Sequence, residues 1–336
     1  MKKIIVLLII CLSPILIFSQ NNNSNSIVAF YNVENLFDTF NDPITKDDEF
    51  TPESEKRWTN IRYQKKINDI AKVISSLNNA DLPVLVGFAE VENKLVLEDL
   101  IKTNFLKDGD YKIVHEESPD IRGIDVALIY KTANFKYLTH KKIPIPLNTK
   151  YKVRDILYTK GILNETDTLH VFVNHWKSRV GGQEKSESQR IKCAQILRNS
   201  VDSILAINKN EKILIMGDLN DEPLNKSVFK TLKANNSGKP KSLNNLMLSL
   251  SKNGFGTYNY RGNWSVLDHI IVSNNLTNNN SGLYVKENTG HIFSADWITF
   301  TYKDGNKTPN RTYGGPNYYG GYSDHYPVYI VLARKR

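Results

Sequence analysis

Cysteine is almost missing from this chain: there are two in 336 residues, Cys11 and Cys193. So few thiols exclude a disulfide-stapled scaffold and a cysteine-built zinc centre, leaving the core to hold by packing. Several catalytic signatures are missing as well. There is no His-Glu-x-x-His, so a zincin-type metal site is not supported. There is no Gly-x-x-x-x-Gly-Lys-Ser/Thr, which removes a nucleotide-driven motor, and no Gly-x-Ser-x-Gly elbow of a serine esterase. No internal repeat occurs, and no Pro/Gly-rich linker divides the chain. The one long apolar run, Ile4 to Phe18, falls short of the roughly 20 residues that a membrane span needs.

That run follows Lys2 and Lys3 and gives way to Ser19-Gln20-Asn21. A basic start, a short apolar segment and a small residue before the polar stretch read as a cleaved secretory signal. The expected organisation is a signal peptide over 1–19, a polar linker over 20–26 and one catalytic domain over 27–336. The mature protein is then secreted or periplasmic, with no stable membrane span, and is expected to be a monomer with no protein partner. Forty per cent apolar content supports a large core. Lys and Arg total 44 against 35 Asp and Glu, a formal charge of +9. An excess of that sign suits a polyanionic partner, but it is spread along the chain and is weak support alone.

Short apolar runs alternate with helical spacing. Ile27 to Tyr31, Pro83 to Ala89, Val126 to Tyr130, Leu169 to Val173, Lys212 to Gly217, Ile270 to Val272 and Val328 to Leu332 read as buried strands. Tyr63 to Leu77, Lys94 to Leu106 and Glu187 to Asn208 carry the period of amphipathic helices. The pattern predicts an α/β fold with two sheets sandwiched between helical layers. Polar residues fall where these runs end: Asn32, Glu90, His175, Asp218 with Asn220, Asp268, and Asp324-His325. Carboxylates, amides and histidines delivered to one rim suit hydrolysis assisted by a hard cation, Mg²⁺ or Mn²⁺. Singly, each has an ordinary structural explanation. Asn32 fits a strand-end cap, and Asp218-Leu219-Asn220-Asp221 an Asx turn. Asp125 and Arg154 fit a structural ion pair.

The ordered set, with Gly-Asp-Leu-Asn at 217–220 and Ser-Asp-His-Tyr-Pro-Val at 323–328, resembles the endonuclease/exonuclease/phosphatase superfamily. Asn-His-Trp-Lys-Ser-Arg at 174–179 is similar to its secreted bacterial nuclease-like branch. The resemblance implies a four-layer, deoxyribonuclease-like sandwich and a metal-dependent phosphoric ester hydrolase. It implies that Glu90 holds the cation with Asn32 and Asp324 nearby, and that Asp218 orients or deprotonates the attacking water. Asn220 would hold a phosphate oxygen, and His325, fixed by Asp268, would contact the phosphate or assist the leaving oxygen. His175 would be a second phosphate-facing imidazole with Asp125 as its carboxylate partner, and Arg154 a phosphate clamp. A nuclease acting on DNA or RNA is the expected activity. A sphingomyelinase-like phospholipase, a phosphomonoesterase and a non-catalytic binding protein are the alternatives.

Overall fold

The computed structural model describes residues 25–335, except 79–80, 148, 150–151 and 279–281. The expected signal segment and most of the polar linker lie outside the described residues. The first half contains β1 (Ser26–Leu36), α1 (Asn60–Ser75), β2 (Leu85–Val91), α2 (Lys94–Lys102), β3 (Tyr111–His115) and β4 (Asp125–Lys131). Then come β5 (Phe135–Ile143), β6 (Ile156–Leu163), β7 (Asp167–His175), α3 (Gln183–Ile207), β8 (Lys212–Asp218), β9 (Leu243–Asn245) and α4 (Leu248–Lys252). A hairpin of β10 (Tyr258–Tyr260) and β11 (Asn263–Ser265) precedes β12 (Asp268–Ser273), β13 (Gly282–Val285) and β14 (His291–Ile292). Two more hairpins, β15 (Thr299–Thr301) with β16 (Lys307–Pro309) and β17 (Tyr313–Gly314) with β18 (Asn317–Tyr318), lead to β19 (Val328–Lys335).

One sheet has the order β13-β19-β1-β2-β4-β3, with β14 also on β19; the other runs β5-β6-β7-β8-β12-β9. Each has a parallel pair at its centre, β1 with β2 and β7 with β8. Side chains alternate along a strand, so a strand covered on both faces reads as a continuous apolar run. Thus Val28 and Phe30 of β1 join Val171, Val173, Met216 and Ile270 between the sheets. Ala29 and Tyr31 face the other way, with Ile67, Ile70, Ile74 of α1 and Leu97 of α2. On the far side, Cys193, Ala194, Leu197 and Val201 of α3 pack on Phe172, Ile213 and Ile215. The layers are helix, sheet, sheet, helix, the predicted architecture. Among the described residues no helix is long and apolar enough to cross a membrane.

Some boundaries differ from the sequence reading. The second helix ends at Lys102, where Thr103 turns to extended dihedrals, and α3 begins at Gln183, a turn earlier than its apolar spacing indicates. Strands β5 and β6 were not legible as a pair, because β5 is an edge strand with Lys136, Lys141 and Lys142 exposed along it. Charged residues on an edge blunt sheet-to-sheet association and erase the apolar signal.

Gly217 fixes the spacing on which the site depends. It pairs with Asn174 in the parallel β7/β8 ladder, and the next step of that ladder sets His175 beside Asp218. A Cβ on Gly217 would lie 2.3 Å from the Asn174 carbonyl oxygen, and the residue has φ of +156°. Only glycine permits so close an approach of two backbones. Gly217→Ala is therefore predicted to destabilise the protein by about 1–3 kcal/mol, the usual cost of forcing atoms into a packed interior. Urea unfolding measures this, and an unchanged midpoint would show that the ladder has room to spare.

Candidate active site

Three polar residues form a row across the second sheet. His175 ends β7, Asp218 ends β8 beside it, and Asp268 opens antiparallel β12 directly opposite Asp218. The first sheet delivers the others at the same end of the sandwich. Asn32 lies near the end of β1, Glu90 near the end of β2, and Asp324-His325 just before β19. Ligand sites commonly collect beyond the carboxyl ends of parallel strands, and both parallel pairs end here. The resulting cleft, about 670 Å³, is lined by Glu90, Arg122, His175, Asp218, Asp324 and His325, among others.

Local backbone irregularity aims these groups. The pairing of β2 with β4 slips between Ala89 and Val91, and Glu90 sits in the slip with φ of +64°. A bulge of this kind re-aims a side chain, at a backbone cost that non-glycine residues bear mainly at functional sites. The Glu90 carboxylate accepts from the Asn35 amide at 3.0 Å, and the Asn32 amide donates to it at 3.4 Å and to Asp218 at 3.1 Å. The Asn220 backbone N–H donates to the other Asp218 oxygen at 2.9 Å, in the Asx turn expected there, while the Asn220 side-chain amide donates to the Trp176 carbonyl at 3.2 Å. Ser323 ties the loop before β19 to β1 within the first sheet: its hydroxyl donates to the Asn32 carbonyl at 2.7 Å and accepts from the His325 backbone N–H at 3.1 Å.

The two histidines are driven apart electrostatically. His325 Nδ1 lies 2.7 Å from Asp268 Oδ2, and its Nε2 is 3.9 Å from Asp218. Burial disfavours a charge on this imidazole, but the Asp268 charge and hydrogen bond, with Asp218 and Asp324, raise its pKa well above the ordinary value. His175 Nε2 sits 3.6 Å from Asp218 and 3.9 Å from Glu90. Burial, with the Arg154 and Arg122 guanidiniums, pushes His175 far below the ordinary value. Burial also lifts Asp218 above the usual carboxylate range, opposed by His325 and reinforced by Asp268. A cationic and a neutral imidazole on one buried carboxylate provide a proton donor and a proton-free partner side by side.

Two sequence expectations need correction. Asp125 does not partner His175: its carboxylate lies 3.0 Å from His115 Nε2 and accepts from the Ser118 amide at 2.8 Å. The β3/β4 register puts His115 opposite Ala127, close enough for its ring to reach Asp125. His175 Nδ1 has no hydrogen-bond partner among the described residues. Arg154 is not a free clamp either. It is 2% exposed, donating to Asp120 at 2.9 Å and to the Trp176 carbonyl at 2.6 Å. Trp176 is itself fully buried and donates to Asn174.

Two other guanidiniums line the cleft, Arg179 and Arg122, the latter with a side chain 48% exposed. Arg122 pairs in a fork with Asp120, through Nε at 3.2 Å and Nη2 at 3.1 Å. Burial of Asp120 is outweighed by Arg154 and Arg122, which lower its pKa to about 2. Asp120 therefore remains an anion between two arginines, one buried and one facing the cleft. The signal available in the sequence was the Asp-x-Arg spacing, which lets Asp120 bond the Arg122 amide as well as its head group.

The donor chemistry is compatible with a divalent cation. Glu90 and Asp324 present carboxylate oxygens to the cleft, with the Asn32 amide behind Glu90. Asn32 turns its Nδ2 to Glu90 and Asp218 and its Oδ1 to the Glu34 backbone N–H at 3.1 Å, so the oxygens on offer are those of the two carboxylates, which suit a hard ion. Asp324 is meanwhile held by Arg311 at 2.6 Å. Asp218, Asp268 and His325 also lie close enough to share an ion. The direct 2.7 Å contact between the last two makes them a hydrogen-bonded pair first.

A family model described as the endonuclease/exonuclease/phosphatase family matches residues 27–334. No curated protein matches the chain by sequence. Among solved structures, an endonuclease/exonuclease/phosphatase family protein from Bacteroides thetaiotaomicron is similar with a TM-score of 0.58 and 15% identity, covering 93% of this chain and 98% of that one. The human Nocturnin catalytic domain with bound sulfate gives 0.57 and 17%, covering 93% and 95%. A mannosyl-6-phosphatase from Bacteroides thetaiotaomicron gives 0.56 and 16%, covering 92% and 99%. Identities this low speak for the fold alone. The family match spans nearly the whole described chain, and the protein belongs to the endonuclease/exonuclease/phosphatase family of phosphoric ester hydrolases.

Proposed function

We propose that this protein is a secreted, divalent-metal-dependent phosphodiesterase, a nuclease that hydrolyses DNA or RNA. The observation that carries the reading is the convergence of both sheets on one cleft, where His325, held by Asp268 at 2.7 Å, faces Asp218. Secretion rests on the amino-terminal sequence and the polymer on charge and aromatic groups. Tyr258 and Tyr260 line the same cleft as Arg122 and Arg179, a combination suited to bases beside phosphates.

In this reading Asp218, steadied by Asn32 and the Asn220 amide, orients the attacking water and takes its proton. His325 presents a protonated Nε2 to the phosphoryl group, donating to a nonbridging oxygen or to the departing one. His175, neutral and so carrying one N–H, contacts the phosphate as a neutral donor. Arg122 offers its remaining guanidinium hydrogens to the phosphate oxygens. A Mg²⁺ or Mn²⁺ ion held by Glu90 and Asp324, with Asn32 behind Glu90, would supply Lewis-acid stabilisation of charge on those oxygens.

Conversion of supercoiled plasmid and cleavage of single-stranded RNA, with Mg²⁺ or Mn²⁺ and then with EDTA, test the proposal. EDTA-sensitive cleavage is expected; turnover of sphingomyelin or a sugar phosphate with both polymers intact would move the substrate elsewhere within the family. His325→Ala is expected to lower kcat at least ~100-fold, the weight of a positioned acid–base group. Asp268→Asn should cost roughly 10- to 100-fold, as loss of a supporting carboxylate usually does. An unaltered rate in the second variant would detach Asp268 from catalysis. Glu90→Gln should raise the metal concentration needed for half-maximal rate while leaving the urea midpoint near that of the parent. If metal dependence stayed the same, Glu90 would not be a ligand.

A further inference from the structure

A second cleft, about 430 Å³, lies behind the wall of the active site. Its volume is in the range of small-molecule sites. Its lining includes Phe255, Trp264, His291, Lys307, Tyr326 and Tyr329. The rings come in two stacked pairs, Trp264 with Tyr326 at 5.7 Å and 15°, and His291 with Tyr329 at 4.8 Å and 20°. Phe255 is 58% exposed at the mouth. Lys307 has a half-exposed ammonium, 3.5 Å from the fully exposed Asp296.

The wall between the clefts is one strand thick. Ser265 lines the catalytic cleft and its neighbour Trp264 the aromatic one; His325 lines the first and Tyr326 the second. In β11 strand alternation produces this division, since successive side chains take opposite faces; His325 and Tyr326 lie just before β19, with His325 bridged to Tyr258. The β10/β11 hairpin forms the top of the wall. Tyr260, 58% exposed, stands near its tip with the Arg261 guanidinium over its ring at 5.2 Å. Asn259 ties the hairpin to the Lys307 carbonyl at 3.2 Å, so the tip and the second cleft are held together. A line of aromatic faces and cations thus runs from the catalytic cleft, over the tip, into the second cleft.

Resting on the nuclease reading above, we propose that this aromatic cleft is a remote subsite for the substrate strand. A base one or more nucleotides from the scissile phosphate stacks there, and the strand crosses the hairpin at Tyr260 and Arg261. Tyr326 is buried and backs Trp264, so a base of any kind meets the partly exposed rings of Trp264, His291, Tyr329 and Phe255, while Arg261 and Lys307 meet the backbone phosphates on either side of the crossing. The subsite requires an unpaired strand, because a base held in a duplex cannot leave its stack to enter a cleft without a cost of unpairing. The protein should therefore favour longer single-stranded substrates over a dinucleotide.

The test combines kinetics with binding on the purified protein. KM is measured for a dinucleotide and a 12-nucleotide single strand in the parent and in Phe255→Ala/Lys307→Glu, whose altered side chains lie at the cleft's mouth and rim. Binding of a labelled 12-mer is followed by fluorescence anisotropy in an Asp218→Asn background, with and without the same two changes. About a tenfold loss of affinity and a matching rise in KM for the 12-mer are expected, within what one stacked base contributes. The dinucleotide KM should move less than twofold. Equal KM values for the two lengths in the parent, or equal losses on both substrates in the variant, would overturn the subsite and leave the nuclease standing. Absence of cleavage of either oligonucleotide, with turnover of another phosphoester, would remove the nuclease reading and the subsite with it.

Discussion

Two carboxylates face each other with almost no access to water, and the arrangement of the whole site follows from making that tolerable. Asp218 is 2% exposed and Asp268 is fully buried, and they are paired residues on adjacent antiparallel strands. Like charges so placed cannot both be ionised without nearby positive charge and hydrogen-bond donors. His325 supplies the charge, bonding Asp268 through one nitrogen and turning the other towards Asp218. Asn32 and the Asn220 amide supply the donors. A cationic imidazole is therefore favoured at the same point where phosphate chemistry would use one.

That requirement passes to the loop that carries His325. The stretch before it is anchored from below by Glu34, which accepts from the amides of Thr312 at 2.6 Å and Tyr313 at 3.2 Å. Lys66, buried in α1, donates to the Thr312 hydroxyl at 2.5 Å and the Tyr322 carbonyl at 2.6 Å. On the other side, Thr257 accepts from the Asp268 amide at 3.2 Å, and its carbonyl accepts from Tyr326 at 2.8 Å. The Gly- and Tyr-rich connection is thus pinned to both sheets, and the imidazole is positioned by rigid elements on either side of it.

Much of this was legible in the chain because strand ends and motifs are local. Lys212 to Asp218 shows a buried strand and the carboxylate at its end in seven residues, and Asp218-x-Asn220 contains its own turn geometry. The pairing of His325 with Asp268 was accessible only through family resemblance, since 57 residues separate them. The errors arose where a partner is chosen by register between strands. Asp125 and His115 meet because β3 pairs with β4, and the weak apolar pattern of β3 concealed that strand. Arg154 and Arg122 compete for Asp120, and burial decides which one faces the cleft. The sequence shows Arg122 two residues from Asp120, but not that Arg154, 34 residues away, reaches the same carboxylate from a buried position.

One site is assembled from both sheets, and a double-mutant cycle measures that directly. Asp218 ends a strand of one sheet and His325 leads into β19 of the other, so their substitutions join only if the cleft works as a unit. Rates on plasmid would be compared for Asp218→Asn, His325→Ala and the combined variant. The prediction is that the combined loss is close to that of the worse single variant, as for residues acting together in one transition state. Losses that multiply independently would mean the two groups serve separate functions and would contradict the account.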